Sequence, residues 1–142
     1  MSVSVRGLRC LPLAVAAALS LAAPAAAIDD KDFCVVAQQL AVASEKDVGV
    51  WVDRVTRNAG MFVTCDKRLV EFSRFTYASS ASMNADWKQR KGADWSASHC
   101  GSAIWNEAIR EGWKVVLSLT AADGGRVALE AQCPQRASSN TR

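Results

Sequence analysis

Four cysteines that follow Ala27 constrain the fold of this chain more than any other feature. Cys34, Cys65, Cys100 and Cys133 lie far apart along the sequence, and only Cys10 precedes them. An even number of cysteines in an exported protein predicts two disulfides. Each bridge closes a long loop, so the pairing decides which elements must pack together. Four cysteines allow three pairings.

The first 27 residues predict that the chain is exported. They begin with Arg6 and Arg9, continue with an apolar run over 11–23, and end in Ala25-Ala26-Ala27, the small-residue pattern that a signal peptidase requires. The run is too short and too rich in alanine for a typical membrane span. A retained N-terminal anchor is the alternative. We predict that residues 1–27 are a cleaved signal peptide, and that the mature protein is periplasmic or secreted and has no membrane span.

The charge of the predicted mature chain argues against nucleic-acid binding. The whole chain has 17 basic and 14 acidic residues, and Arg6 and Arg9 leave with the signal peptide. The remaining chain is almost neutral, whereas a nucleic-acid-binding protein needs excess positive charge to displace counterions from phosphates. Its length, about 115 residues, suits one domain with its own core.

Hydrophobic periodicity predicts an α+β domain from 28 to 133. Helical spacing indicates helices over 31–45, 83–91 and from about 94 to 111, the second ending at Gly92. Alternating apolar residues indicate strands over 48–52, 61–65, 68–77, 113–120 and 127–133, with turn residues over 56–60. We therefore predict an antiparallel sheet of about five strands, with two or three helices packed on one face and two disulfides. A disordered tail is expected over 134–142.

Two passages of the chain share a plan that favours one disulfide pairing. Each begins with a helix that has a cysteine on its apolar stripe, and each continues into a hairpin that ends in a cysteine. If each helix packs on its own hairpin, Cys34 pairs with Cys65 and Cys100 with Cys133. Each bridge would then contribute roughly 3 to 4 kcal/mol in the chain-entropy model. The other two pairings remain open.

The sequence contains no convincing catalytic, metal or cofactor motif. His99, the single histidine, lies beside Cys100, but neighbours on a helix point about 100° apart and Cys100 is expected to be bridged. There is no closely spaced cysteine pair, and one histidine does not supply a zinc site. We predict no catalytic residue, metal or cofactor. A glycosidase-type carboxylate pair among Asp53, Glu71, Glu107 and Glu111 is left open.

Five tryptophans provide the best candidate binding site. Trp51 and Trp113 open predicted strands and are expected in the core. Trp87 and Trp95 flank a basic turn that contains Lys88, Arg90 and Lys91. Trp and Arg are enriched at binding hot spots, so these five residues (Trp87, Lys88, Arg90, Lys91 and Trp95) form the predicted site. The alternative is that both indoles hold short helices on the sheet. Five more basic residues could extend the site: Arg54, Arg57, Lys67, Arg68 and Arg74.

These observations favour a small exported binding or accessory protein that is not an enzyme and that acts on a protein or glycan partner. Two alternatives are a secreted hydrolase that cleaves cell-wall or glycan material through a carboxylate pair, and a structural envelope protein without a specific ligand.

Overall fold

The computed structural model describes residues 28–135, so the predicted signal peptide and most of the predicted tail lie outside the described residues. The helices in this range are α1 (Asp30–Ser44), α2 (Ala85–Cys100) and α3 (Ala103–Arg110). The strands are β1 (Thr56–Thr64), β2 (Leu69–Thr76), β3 (Lys114–Ala121) and β4 (Arg126–Glu130). The α+β class predicted from the sequence is confirmed.

The four strands form one mixed sheet in the order β1-β2-β3-β4. β1 and β2 are antiparallel, as are β3 and β4, but the central pair β2 and β3 is parallel. The prediction of a wholly antiparallel sheet is therefore wrong. The reason lies between β2 and β3: α2 and α3 form a long crossover that returns the chain to the end of the sheet from which β2 began, so that β3 starts beside the start of β2.

The described residues form four strands, one fewer than about five, and a predicted turn is part of the first of them. Asn58 and Gly60 were expected to turn the chain, but both lie within β1, where the register against β2 shifts between them. Gly60 has φ +133°, and its N–H donates to the side-chain oxygen of Asn58 at 3.3 Å. A glycine and an asparagine here form a β-bulge, which kinks the strand without ending it.

The segment predicted as the first strand, 48–52, lies beside β1 without joining the sheet as a full strand. It forms a single bridge, between Trp51 and Arg57. Backbone hydrogen bonds still hold it there: Asn58 donates to the carbonyl of Val50 at 2.9 Å, and Val52 donates to that of Thr56 at 2.8 Å.

The three helices pack on the same face of the sheet, as predicted. On β3, Val115, Leu117, Leu119 and Ala121 are buried on this face, where they pack with Trp95 of α2 and with α3. Around Val70 of β2 they are joined by a second cluster formed by α1, α3 and Trp113, so both clusters line one side of the sheet. The sheet's other face carries no helix among the described residues.

Two helices lie over the predicted range 83–111, α2 and α3, but the break between them is at 101–102 and not at Gly92. Gly92 lies inside α2, and a Cβ at this position would meet nothing within 4 Å. The glycine lowers the helix propensity of the segment, but nothing packed against it forces the helix to end there. The helix ends instead at Gly101, and the side-chain amide of Asn106 donates to the carbonyl of Cys100 at 2.8 Å. α3 then begins after Ser102.

The structure bonds Cys34 to Cys65 and Cys100 to Cys133, the pairing favoured by the sequence. The predicted similarity between the two passages is only partial, however. Cys65 lies in the turn between β1 and β2, whereas Cys133 follows β4. The first bridge therefore joins α1 to the turn of a hairpin, and the second joins the end of α2 to the end of one.

Candidate functional site

The five residues of the predicted binding site all lie on α2, but they do not form a turn framed by two exposed indoles. Lys88 and Arg90 are exposed, Lys91 and Trp87 are half-buried, and Trp95 is buried. The indole N–H of Trp95 donates to the carbonyl of Val115 at 3.1 Å. Trp95 thus holds α2 on the sheet.

Two of these residues, Trp87 and Lys91, line a pocket between α2 and the sheet, which we call the α2 pocket. Its volume is about 100 Å³, and its walls include Asp53, Val55, Thr56, Arg74, Met83, Trp87, Lys91 and Leu119. A second pocket of about 220 Å³ shares Arg74 and Lys91 and adds Asp94, Trp95 and Ser98. Both volumes are below the range of typical small-molecule sites, about 300 to 1,000 Å³. The α2 pocket is suited to a single small group.

Asp53 stays ionised at the rim of the α2 pocket. Partial burial opposes ionisation, but hydrogen bonds from Val55 and Thr56, together with the charge of Lys91, outweigh it and lower the pKa of Asp53. The backbone N–H of Val55 donates to its carboxylate at 2.9 Å. A glycosidase acid needs a raised pKa, so the lowered pKa of Asp53 argues against that role.

The other candidate carboxylates lie on different elements. Glu71 is on β2, opposite Phe62 of β1, and Glu107 is on α3, with Glu111 directly after it. Glu71 points to the sheet face without helices, because its neighbours Val70 and Phe72 point to the helices. Thus Glu71 and Glu107 are on opposite sides of the sheet.

His99 and Cys100 do not form a nucleophile and base. The sulfur of Cys100 is bonded to Cys133, and the His99 ring is buried against Trp95, Phe72 and Trp105. Burial lowers the pKa of His99 and the charge of Arg74 lowers it further, although a hydrogen bond to the carbonyl of Trp95 at 2.9 Å opposes both. A neutral, hydrogen-bonded histidine fits a structural role in the core.

No group of three or more histidine, cysteine or acidic residues between 28 and 135 could hold a metal ion. In the same range, no helix has the length and hydropathy needed to cross a bilayer.

A group of exposed apolar residues lies at the β1 edge of the sheet. It extends from the segment before β1 to the residue after β2, and we call it the edge patch: Val48, Val50, Trp51, Val52, Val55, Arg57 and Tyr77. Its four valines, Trp51 and Tyr77 are all exposed, with 49% of the Trp51 surface and 53% of the Tyr77 surface accessible. Scattered exposed apolar residues are normal, whereas a group of this kind is a candidate interaction surface.

Arg57 and two aromatic rings form the centre of the edge patch. The Arg57 guanidinium lies 4.2 Å from the centre of the Trp51 ring and 5.9 Å from that of Tyr77, and the two rings are 5.7 Å apart. Phe75 supports the edge of Tyr77, with ring centres 5.0 Å apart. The backbone N–H of Tyr77 donates to the carbonyl of Val55 at 2.8 Å, which ties the two sides of the patch together. These side chains are therefore held in place while their outer surfaces stay open to solvent.

The sequence pattern does not predict this surface, because it favours a core position for Trp51. Alternation of Val48, Val50 and Val52 is typical of a half-buried strand, and a tryptophan beside it suggests packing. The structure gives this segment no helix to pack on, so both its valines and Trp51 are exposed. Arg57 was named only as a possible extension of the site on α2. The adjacent aromatic residues Phe75 and Tyr77, one strand away, were the available signal.

The fold is similar to that of two proteins of solved structure, although the sequences are very different. A candidate secreted protein from Pseudomonas aeruginosa has a TM-score of 0.58 at 13% identity, over 71% of this chain and 89% of that one. The pilotin of the Vibrio vulnificus type 2 secretion system has a TM-score of 0.54 at 9% identity, over 75% of this chain and 96% of that one. No protein-family model and no curated protein matches the chain. At these identities the similarity is one of fold.

Proposed function

We propose that this protein is a small exported accessory protein that binds a protein partner through the edge patch. The observation that carries the proposal is the half-exposed stack of Trp51, Arg57 and Tyr77. Trp, Tyr and Arg are the residues most enriched at interface hot spots. Four exposed valines lie in the same segment as Trp51, just before Arg57, so the patch exposes further apolar area to water.

The side chains of the edge patch are already ordered by their neighbours, which also favours binding. Ordering a mobile side chain at an interface costs about 0.5 to 1.5 kcal/mol. The cation–π contact of Arg57, the ring contacts of Tyr77 and the hydrogen bonds of the 49–52 segment to β1 reduce this cost, because they order the surface before a partner arrives.

Export of the chain is part of the proposal. The N-terminal signal-like segment, the two disulfides and the fold shared with a candidate secreted protein and a secretion-system pilotin all support it. The pilotin belongs to a secretion system, so an accessory role in envelope assembly is the form of the hypothesis that we favour. N-terminal sequencing of the protein isolated from cell fractions tests export: a mature form beginning at Ile28 outside the cytoplasm is expected, and an uncleaved cytoplasmic chain would contradict it.

Partner capture tests the edge patch. The full chain with a C-terminal tag is produced in the native cells, and partners from the envelope and the medium are identified by mass spectrometry. We expect Trp51→Ala to lose a reproducible protein partner that the unaltered protein retains. Phe62→Ala is the control, because Phe62 is an exposed aromatic residue of β1 outside the stack.

Retention of the partner by Trp51→Ala, or equal loss in Phe62→Ala, would contradict the proposed surface. Sedimentation of the purified protein covers the structural alternative. Concentration-dependent self-association that Trp51→Ala abolishes would assign the edge patch to contacts between copies of this chain, and the accessory role would then be wrong.

A further inference from the structure

We propose that the α2 pocket binds a single carboxylate group through Arg74 and Lys91. Arg74 lies near the end of β2. Arg74 is in register with Leu119 of β3, and residues 70, 72, 74 and 76 alternate onto the face covered by helices. A guanidinium therefore occupies a place in the sheet where the neighbouring positions carry core side chains.

Arg74 has no acceptor for its hydrogen bonds in the part of the chain that the structure describes. Its contacts are the Trp95 ring, 5.7 Å from the guanidinium, and a longer-range attraction to Asp53. No ion pair joins it to Asp53, whose carboxylate instead accepts hydrogen bonds from the segment that follows it. Arginine has five N–H donors, and a half-buried one without an acceptor is well suited to bind a carboxylate in two parallel hydrogen bonds.

Lys91 supplies a second positive charge at the same place. It lines both the α2 pocket and its neighbour, as Arg74 does, so the two cations lie on the wall that the pockets share. Two acidic residues also line these pockets, Asp53 in the first and Asp94 in the second. They repel a doubly charged phosphate more strongly than a singly charged carboxylate.

The remaining walls select the size and character of the group. Trp87, Met83 and Leu119 form apolar walls that can take a short methylene stem. The volume of about 100 Å³ excludes a sugar ring and its substituents but accommodates the end of an acidic side chain.

The edge patch and the α2 pocket meet at Val55, which belongs to both. We therefore assign the carboxylate to an acidic side chain of the protein that docks on the edge patch, an assignment that rests on the proposed function. The binding of a carboxylate to the pocket does not depend on it, because the pocket can be tested without any partner.

NMR titration of the oxidised protein, produced from the full chain, tests the pocket. The probes are the peptide Ac-Ala-Glu-Ala-NH2, its glutamine counterpart, and sodium acetate at matched ionic strength. The readouts are the Arg74 side-chain Nε–H signal and the indole N–H signal of Trp87. We expect the glutamate peptide to shift both signals saturably, and the glutamine peptide to leave them unchanged.

Two lysines on the same helix provide a matched pair of variants. Lys91→Gln should weaken binding of the glutamate peptide about tenfold, since it removes one charge-assisted hydrogen bond. Lys88→Gln removes an exposed charge that lines neither pocket and should change binding less than about twofold. Arg74→Lys keeps the charge but removes the bidentate hydrogen bonding of the guanidinium, and should also weaken binding.

The absence of a saturable shift, or equal weakening in Lys88→Gln and Lys91→Gln, would overturn the proposal. Tighter binding of the glutamate peptide than of acetate supports an acidic side chain as the source of the carboxylate. Equal binding of acetate supports the carboxylate site but assigns it to free small acids. The NMR titration does not involve the edge patch. A negative titration and a negative result in the partner-capture experiment are therefore distinguishable.

Discussion

Trp95 and Trp51 show how one residue type serves two regions of this molecule differently. On the helix-covered face, Trp95 is buried, its N–H is bonded to the sheet, and its ring packs with Phe72 and His99. At the β1 edge, Trp51 is half exposed and lies against an arginine. Both regions contain a tryptophan, so residue type alone does not distinguish a core position from an exposed one. The difference is the layer of helices, which covers one region and leaves the other open.

The largest expected effect compares a core residue of the covered face with an exposed residue of the other face. Leu117→Ala should lower the free energy of unfolding by about 3 kcal/mol, because it leaves a cavity between β3 and the helices. Phe62→Ala, on the face without helices, should lower it by less than about 1 kcal/mol. Urea denaturation of both variants provides the measurement. Similar losses would mean that the two faces are equally buried, which would remove the basis of the comparison.

An intermediate effect concerns the pH dependence of the covered face. The pKa of His99 is lowered by burial, so the unfolded chain binds a proton more readily than the folded one as the pH falls below the ordinary histidine pKa of 6.5. Stability should therefore be greatest above that pH and should decrease as the pH falls towards about 5. His99→Phe keeps a ring among Trp95, Phe72 and Trp105 and should flatten this dependence.

Urea denaturation at several pH values between about 5 and 8 measures this slope for both proteins. The slope matters here, not the absolute stability, because the substitution also removes a hydrogen bond to the carbonyl of Trp95. An unchanged slope in His99→Phe would show that other groups cause the pH dependence.

The smallest expected effect on stability belongs to the edge patch. Trp51→Ala should lower the free energy of unfolding by less than about 1 kcal/mol, since about half of the side chain is already in water. Thermal denaturation measures this change in the same samples used for partner capture. A loss as large as that of Leu117→Ala would place Trp51 in the core and would also explain a loss of binding by unfolding.

The fold was predictable from the sequence where a single local rule decided the structure. α1 begins at Asp30, one residue before the predicted start, with Asp29 as its N-cap, and the alternation over 113–120 produced β3 with its buried face. The errors arose where two rules competed. Asn58 and Gly60 suit a turn or a bulge equally well. They form a bulge because β1 pairs with β2 on both sides of them. Gly92 weakens a helix, but the packing of Trp95 beyond it favours a continuous one.

The candidate site was less predictable, because it depends on long-range contacts. Trp87 and Lys91 were named from the sequence, but Arg74, which lines the same pocket, was named only as one of several basic residues. Its importance follows from the register of β2 and β3, which places it on the covered face. Trp51 and Tyr77 meet only because the chain returns along β2 beside the segment that precedes β1.

The arrangement of the two disulfides determines how this protein responds to mechanical force. A pull on the two ends of the chain passes through the Cys34–Cys65 bridge, along residues 65–100, and through the Cys100–Cys133 bridge. β1, β3 and β4 lie inside the two closed loops and carry none of the load. The stretch between the bridges can extend to at most about 120 Å, the length of 35 residues. An oxidised molecule held between an envelope and a moving partner would therefore stop lengthening early, with all of its edge patch except Tyr77 attached to a loop that bears no tension.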